Sequence, residues 1–131
     1  MRLVGQRFTN GLYFYAEAAG GTILVKDRMR GRLYVKTTGG SGALIPIMNG
    51  SIHLTSQFND DYQALAAENF AGVNKLCWFQ RSTNEFSEWT LNGSWVFISG
   101  AVIGQKGSPA AYALEVAYQV DLDRDGIIGT P

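Results

Sequence analysis

The sequence predicts a mainly β domain of the α+β class, with an antiparallel sheet of about six to eight strands and two helices packed on it. Sixteen glycines and only three prolines punctuate short apolar and aromatic runs, which is typical of strands joined by tight turns. Two longer segments instead carry apolar residues at helical spacing. The chain of 131 residues has the length of one ordinary domain, so residues 1–131 are expected to share one core.

The first half of the chain is expected to form strands, because its apolar runs are short and end at turn residues such as Asn10-Gly11. Pro46 places its own strand at a sheet edge, since proline cannot donate to a central ladder. His53 is the only histidine and has no second histidine or cysteine with which to bind a metal, so it is interpreted as a packed or surface residue. The expected strands are 12–16, 22–26, 32–36, 43–48 and 51–58.

Two segments predict helices of about ten residues each. Residues 60–71 follow capping side chains and carry apolar residues at helical spacing. Residues 109–120 begin with Ser108 as N-cap and Pro109 at the first helical position, and they are apolar around most of the helix. Glu115 is the exception, and a buried carboxylate requires a partner such as a cation, an arginine or a lysine.

The segment between the two helices is expected to add three strands, and it holds all three tryptophans. Aromatic side chains on strands either build the core or form a platform for a sugar ring. Trp89 and Trp95 are therefore candidates for glycan binding, with core packing as the other interpretation. Cys77 is the only cysteine, which excludes an internal disulfide, and it is interpreted as a small buried hydrophobic residue. These strands are 74–80, 84–92 and 95–98.

Charge and hydropathy exclude several classes of partner. Eleven basic and eleven acidic residues give a formal net charge of zero, so no global field directs the chain to nucleic acid. No apolar run has the length of a membrane span, and the N-terminus lacks the apolar region of a classical signal peptide. Positive charge is concentrated in one hairpin, where Arg28, Arg30 and Arg32 form either a solvated turn or a patch for an acidic partner.

The last eleven residues predict a metal site. Acidic residues occupy the first, third and fifth positions of a calcium-binding loop, and Gly126 occupies the sixth, where the chain turns sharply. The acid of the twelfth position would fall after Pro131, so Glu115 or another chain would have to supply it. We therefore expect a weak, structural calcium site, with a dissociation constant of roughly 10⁻⁴ to 10⁻³ M. The alternative is an acidic turn held by Asx hydrogen bonds. The expected ligands are the carboxylates of Asp121, Asp123 and Asp125 and the carbonyl of Ile127.

No enzyme signature is present. The sequence contains no Gly-x-Ser-x-Gly elbow, no His-Glu-x-x-His, no Cys-x-x-Cys and no Gly-x-Gly-x-x-Gly after a strand. The acidic pairs Asp60 with Asp61 and Glu85 with Glu88 occur in polar contexts and are interpreted as capping or surface charge. No catalytic residue is expected, and a hydrolase with an unrecognised site is the remaining enzymatic alternative.

A series of landmarks runs through the second half of the chain in a specific order: Ala67-Glu68, Gly72, Trp78, Phe86, Trp89, Ser99-Gly100, Glu115, Tyr118-Gln119 and the acidic loop. Over about residues 67–129 the chain resembles the tryptophan-rich C-terminal domain of cyanobacterial secreted proteins, which is often found beside haemolysin-type calcium-binding repeats. The resemblance implies a secreted or particle-surface accessory domain without known catalytic activity.

These observations together predict a non-enzymatic structural or adhesive surface module with a calcium-binding C-terminal loop. The expected setting is a secreted, cell-surface or phage virion assembly, for example as a capsid-decorating or tail protein, and the expected partners are other subunits of that assembly. An extracellular, cell-surface or virion location follows. The alternative is a calcium-assisted carbohydrate-binding module that uses Trp89 or Trp95.

Overall fold

A computed structural model describes residues 21–37, 43–55 and 61–131 of the chain, and the backbone alone of 13–17 and 57–58. Within these ranges the chain forms three antiparallel sheets and one helix. The mainly β prediction is confirmed. The predictions of a single sheet and of two helices are wrong. The turn Asn10-Gly11 and the residues Asn59-Asp60 lie outside the described ranges.

The first sheet has four strands in the order β1-β2-β3-β4: β1 (Tyr13–Glu17), β2 (Ile23–Asp27), β3 (Leu33–Lys36) and β4 (Ile45–Pro46). A two-stranded hairpin follows, with β5 (Met48–Asn49) and β6 (Ile52–His53). The third sheet has the order β11-β10-β9-β8-β7: β7 (Gln57–Phe58), β8 (Tyr62–Phe70), β9 (Val73–Gln80), β10 (Glu85–Leu91) and β11 (Phe97–Gln105). The helix is α1 (Pro109–Tyr118), inside the predicted range 109–120.

The predicted helix over residues 60–71 is wrong, because this segment contains strand β8. A bulge between Ala64 and Ala66 shifts the register with which β8 pairs to β9. As a result Ala64 and Ala67, three residues apart, contact the same core, while Ala66 contacts the other. Leu65, Ala66 and Phe70, whose spacing predicted a helix, all contact the core beneath α1. The bulge lets the adjacent residues Leu65 and Ala66 share that side, which gives the strand the apolar pattern of a helix.

The five-stranded sheet is the central layer, with a separate core on each of its faces. On one face Leu76 and Trp78 of β9 pack against Leu24 and Leu33 of the first sheet. On the other face Cys77 packs with the residues of helix α1. Successive residues of β9 thus enter opposite cores, which explains the continuous apolar run over residues 76–79 of this strand. No helix in the described part of the chain has the length and hydropathy needed to cross a membrane.

Asp27 organises the turn between β2 and β3, where the sequence concentrates its arginines. Its carboxylate accepts hydrogen bonds from the Arg32 side chain and from the backbone N–H of Arg30. Arg32 is therefore held in an ion pair within the turn. The side chains of Arg28 and Arg30 are exposed. The turn keeps two of the three predicted arginines at the surface, and whether an acidic partner binds them stays a prediction.

Replacing Asp27 with asparagine is expected to lower the free energy of unfolding at pH 7 by about 1–2 kcal/mol. This is at the low end of the roughly 1.5–3 kcal/mol usual for hydrogen bonds to a charged group, because the Arg32 side chain is partly exposed. Burial raises the pKa of Asp27, but the hydrogen bonds from Arg32 and Arg30 outweigh it and leave the pKa lowered. The carboxylate therefore stabilises the fold above its unfolded pKa near 3.9, and this contribution is lost as the pH falls through the lower folded value. Urea unfolding at pH 7 and at about pH 2.5 should show the deficit of the variant shrinking in acid; an equal deficit at both values would contradict this role.

Candidate metal centre

Helix α1 carries the residue around which the C-terminal loop is built. Ser108 caps the helix, its hydroxyl accepting from the N–H of Ala111 at 3.2 Å. The helix ends at Gln119, which adopts a left-handed conformation with φ of 60°. This turn sends the following residues back along the helix, toward the side on which Glu115 lies. Glu115 is only 1% exposed.

Both carboxylate oxygens of Glu115 accept hydrogen bonds from the loop. Oε2 accepts from the N–H of Asp123 at 3.0 Å, and Oε1 accepts from the N–H of Gly129 at 2.9 Å. The partner that a buried carboxylate requires is therefore supplied in part by backbone donors eight and fourteen residues further along. Leu122 is 7% exposed and joins the core beneath the helix, so an apolar anchor also fixes the loop.

Asx-type hydrogen bonds shape the loop between these anchors. The Asp121 carboxylate accepts from the N–H of Gly126 at 2.8 Å, that of Asp123 from the N–H of Asp125 at 3.1 Å, and that of Asp125 from the N–H of Ile127 at 2.8 Å. Gly126 has φ of 90°, the left-handed conformation that glycine adopts without strain. The acidic turn held by hydrogen bonds from its own backbone, which was the alternative to a calcium site, is thus present. Its hydrogen bonds do not use all the carboxylate oxygens.

Four carboxylates converge at the loop. One oxygen from each of Glu115, Asp121, Asp123 and Asp125 lies within 4.8 Å of the other three. Neither of the two ion pairs in the described part of the chain involves any of them. Oδ1 of Asp121 is buried and accepts no hydrogen bond. A converging set of oxygens with one unused buried acceptor is what a hard divalent cation binds.

Burial and the proximity of these carboxylates shift the pKa values of Asp121 and Asp123. Burial raises the pKa of Asp123, and the neighbouring Glu115 carboxylate raises it further. Burial also raises the pKa of Asp121, but the backbone N–H of Gly126 and further hydrogen bonds within the loop outweigh it and leave the pKa lowered. The residues therefore fit a cation, because a positive charge would stabilise all four carboxylates in their ionised form.

The structure brings the three predicted aspartates together and adds Glu115 as a fourth acid. Ile127 lies in the same loop, and its N–H bonds to Asp125; its carbonyl stays a predicted ligand. Sequence reasoning named Glu115 as a residue in need of a partner, and helical spacing supports its burial, since Ala111, Leu114 and Tyr118 share its face. Leu122 was missed, although an apolar residue between two ligands is a usable signal.

The two candidate tryptophans have different environments. Trp95 is 2% exposed and lies in the first core, which favours the core interpretation. Trp89 is only partly buried and lines an open groove of about 330 Å³ on the face of the central sheet opposite helix α1. Its ring packs against Phe97 with centroids 4.4 Å apart. A Cβ on Gly100 would lie 2.7 Å from the Trp89 ring, so glycine is required for the indole to cover β11.

Comparison with known proteins gives one match. The model of the family described as tryptophan-rich Synechocystis species C-terminal domain matches residues 22–129. The match runs from the residue before β2 to Gly129 in the acidic loop, and so extends the resemblance well before residue 67. No curated protein and no solved structure matches the chain.

Proposed function

We propose that this chain, which belongs to the tryptophan-rich Synechocystis species C-terminal domain family, is a structural or adhesive module whose C-terminal loop binds one calcium ion. The convergence of four carboxylates beside a buried, unused oxygen of Asp121 supports the proposal. Calcium suits the site better than magnesium, because it accepts carboxylates and carbonyls in flexible geometry, whereas magnesium demands near-ideal octahedral geometry and keeps several waters.

Glu115 supplies a fourth acid beside the three aspartates of the loop. Each of its oxygens already accepts one backbone N–H, but a carboxylate offers about four acceptor sites, so both oxygens can still bind an ion. The aspartates and the carbonyl of Ile127 would supply further ligands, with water completing the shell. We retain an affinity of roughly 10⁻⁴ to 10⁻³ M, because the backbone bonds of Glu115 compete with bidentate binding.

The bound ion would act as a structural clamp. Asp123 and Gly129 are tied to Glu115, and Leu122 is packed under the helix, so an ion at these oxygens would fix the end of the chain to α1. A site of this affinity fills only where calcium is near millimolar, which is typical of extracellular modules. We therefore propose a secreted, cell-surface or phage virion setting, with other subunits of that assembly as partners and haemolysin-type calcium-binding repeats as neighbouring segments.

We propose no enzymatic activity. A ring nitrogen of His53 lies 2.7 Å from the carbonyl oxygen of Leu33, and Cys77 is buried in the core beneath the helix. These two side chains thus serve packing and hydrogen bonding. Asp61 accepts hydrogen bonds from Ser82 in the turn after β9. It caps no helix, because the predicted helix over residues 60–71 is strand β8.

The groove beside Trp89 favours a second candidate, a carbohydrate-binding module. Its lining is mainly aromatic and apolar, and Trp89, Phe97 and Tyr62 could cover the apolar face of a sugar ring. The groove lies on the first core, whereas the acidic loop packs on the second. Calcium would therefore support such a module through its stability and not by contact with the sugar.

Glycan-array binding by the wild type and by Trp89→Ala separates the two candidates. The structural role predicts that no glycan depends on Trp89, because the indole serves to cover β10 and β11. Trp95→Phe is not a useful control, since that residue is buried, so Ile98→Ala, which is exposed on β11 and does not line the groove, serves instead. A glycan that binds the wild type and loses at least about tenfold in affinity with Trp89→Ala would replace the structural proposal with the carbohydrate module.

A further inference from the structure

A second cavity lies on the helix side of the central sheet, beside the acidic loop. It has a volume of about 370 Å³. Its apolar lining comes from Leu65, Phe79, Phe86 and Leu122, of which Phe79 and Phe86 pack with ring centroids 5.0 Å apart. Its polar lining comes from Gln63, Arg81, Lys106, Asp123 and Arg124. We call the cavity formed by these nine residues the basic pocket.

Three basic side chains from separate parts of the chain meet at the basic pocket. Arg81 follows β9, Lys106 follows β11 and Arg124 lies in the acidic loop. All three are exposed, and neither ion pair in the described part of the chain includes them. The only acid in the lining is Asp123, a proposed calcium ligand. The lining itself, with three cations and one acid, is complementary to an anion. Asp123 belongs to the cluster of four carboxylates, and a cation bound there would offset the negative charge beside the pocket.

Backbone hydrogen bonds hold two of these residues in place. The N–H of Arg81 donates to the carbonyl of Asp61 at 2.8 Å, and the N–H of Lys106 donates to the carbonyl of Asn84 at 2.7 Å. Arg124 has φ of 61°, in a loop whose hydrogen bonds fix its position. The pocket thus presents its cations from ordered turns, which reduces the entropy lost when a ligand binds.

We infer that the basic pocket binds one acidic sugar residue, with the ring over the Phe79 side chain and the anionic group toward Arg81, Lys106 and Arg124. The guanidinium groups match the planar fork of a carboxylate. The Gln63 amide offers both a donor and an acceptor to sugar hydroxyls. A simple inorganic anion would leave the apolar floor unused, and a lipid acyl chain would leave the basic groups and the Gln63 amide unused.

Calcium and the sugar are expected to bind cooperatively, and this part of the inference rests on the proposed calcium site. Without an ion, the carboxylate of Asp123 faces the pocket and repels an anion. An ion bound to Asp123 and its neighbours would offset that charge. Because coupling between two sites is reciprocal, each ligand should tighten the other by a similar factor, about fivefold or more.

The test is calorimetric titration of the whole chain with methyl β-D-glucuronide, in 5 mM calcium and in chelator. We expect weak, saturable binding that is at least fivefold tighter in calcium, and at least about tenfold weaker in the double variant Arg81→Gln, Lys106→Gln. The matched control, Arg28→Gln with Arg30→Gln, removes the same charge from exposed arginines at the β2–β3 turn and should bind like the wild type.

Three ligands define the specificity. Methyl β-D-glucoside, which is neutral, should not bind. A sulfated glucoside, which is also an acidic sugar, should bind. Inorganic phosphate should bind at least tenfold more weakly than the glucuronide. Equal affinity for phosphate, or equal loss in both double variants, overturns the inference. The melting temperature of the same samples with and without calcium decides the proposed calcium site separately, so the two claims can fail independently.

Discussion

Replacing Glu115 with alanine is expected to lower the free energy of unfolding by about 3–5 kcal/mol, since each buried donor left without an acceptor costs about 1–3 kcal/mol. The two donors are the N–H groups of Asp123 and Gly129. Truncation also removes buried side-chain volume next to Leu114 and Tyr118. Urea unfolding at neutral pH, followed by circular dichroism, measures the loss.

Glu115→Gln sharpens this experiment because it keeps the shape and one carbonyl oxygen. It should cost about half as much as alanine, since one of the two N–H groups keeps its acceptor. Glu85→Ala at the partly exposed start of β10 is the matched control and should change stability by less than about 0.5 kcal/mol. If crowding with the aspartates outweighed the hydrogen bonds of Glu115, the glutamine variant would be as stable as the wild type or more stable, and the central role of this residue would be refuted.

Calcium at 10 mM is expected to raise the melting temperature by about 4–14 °C relative to chelator-treated protein. A dissociation constant of roughly 10⁻⁴ to 10⁻³ M gives about 1.4–2.7 kcal/mol of stabilisation at this concentration. For a domain of this size, 1 kcal/mol corresponds to roughly 3–5 °C. Magnesium at the same concentration should produce a smaller shift, because it demands near-ideal octahedral geometry and gives up its waters reluctantly.

Asp123→Asn combined with Asp125→Asn should abolish the calcium shift while leaving the protein folded. Asparagine can still accept the Asx hydrogen bonds, so the loop retains much of its shape. The neutral amides remove two of the four converging charges. A calcium shift of unchanged size in the double variant would place the ion elsewhere on the chain.

The sequence correctly predicted those elements that are specified by neighbouring residues, such as caps and turns. The N-cap Ser108 with Pro109 fixed the start of α1, and the hairpin of β2 and β3 follows from turn residues between two apolar runs. Strand β8 could not be recognised in this way. Its bulge gives Ala64 and Ala67 one face, and only pairing with β9, which local sequence does not reveal, shows that the spacing belongs to a strand.

The division into three sheets depends on contacts that are distant in sequence. The short strands β4 and β5 lie next to each other in the chain but belong to different sheets, and only Ile47 separates them. Ile47 is fully buried, and its N–H donates to the carbonyl of Leu33. An apolar run with one proline carries no signal for this change of partner, so a single sheet was the simplest expectation.

The acidic loop and the basic pocket also differ in whether their residues are close together in sequence. The acidic loop is contiguous, so its three aspartates and Gly126 identify it from sequence, and the fourth acid lies on the helix directly before it. The basic pocket draws Arg81, Lys106 and Arg124 from three turns, and nothing in their neighbouring residues connects them. Its existence follows only from the order of strands β8 to β11 and from the turn after α1 that returns the loop to the sheet.

The central claim is that one ion binds at Glu115 and the three aspartates. Its most direct test is a calcium titration followed by amide NMR on the whole chain. The account predicts that the N–H signals of Asp123, Asp125 and Gly126 shift and saturate together at one ion per chain, with a midpoint of roughly 0.1–1 mM, while signals from β2 and β3 stay in place. Absence of any shift in these loop amides at 10 mM calcium, or shifts spread over acidic residues across the whole surface, would contradict it.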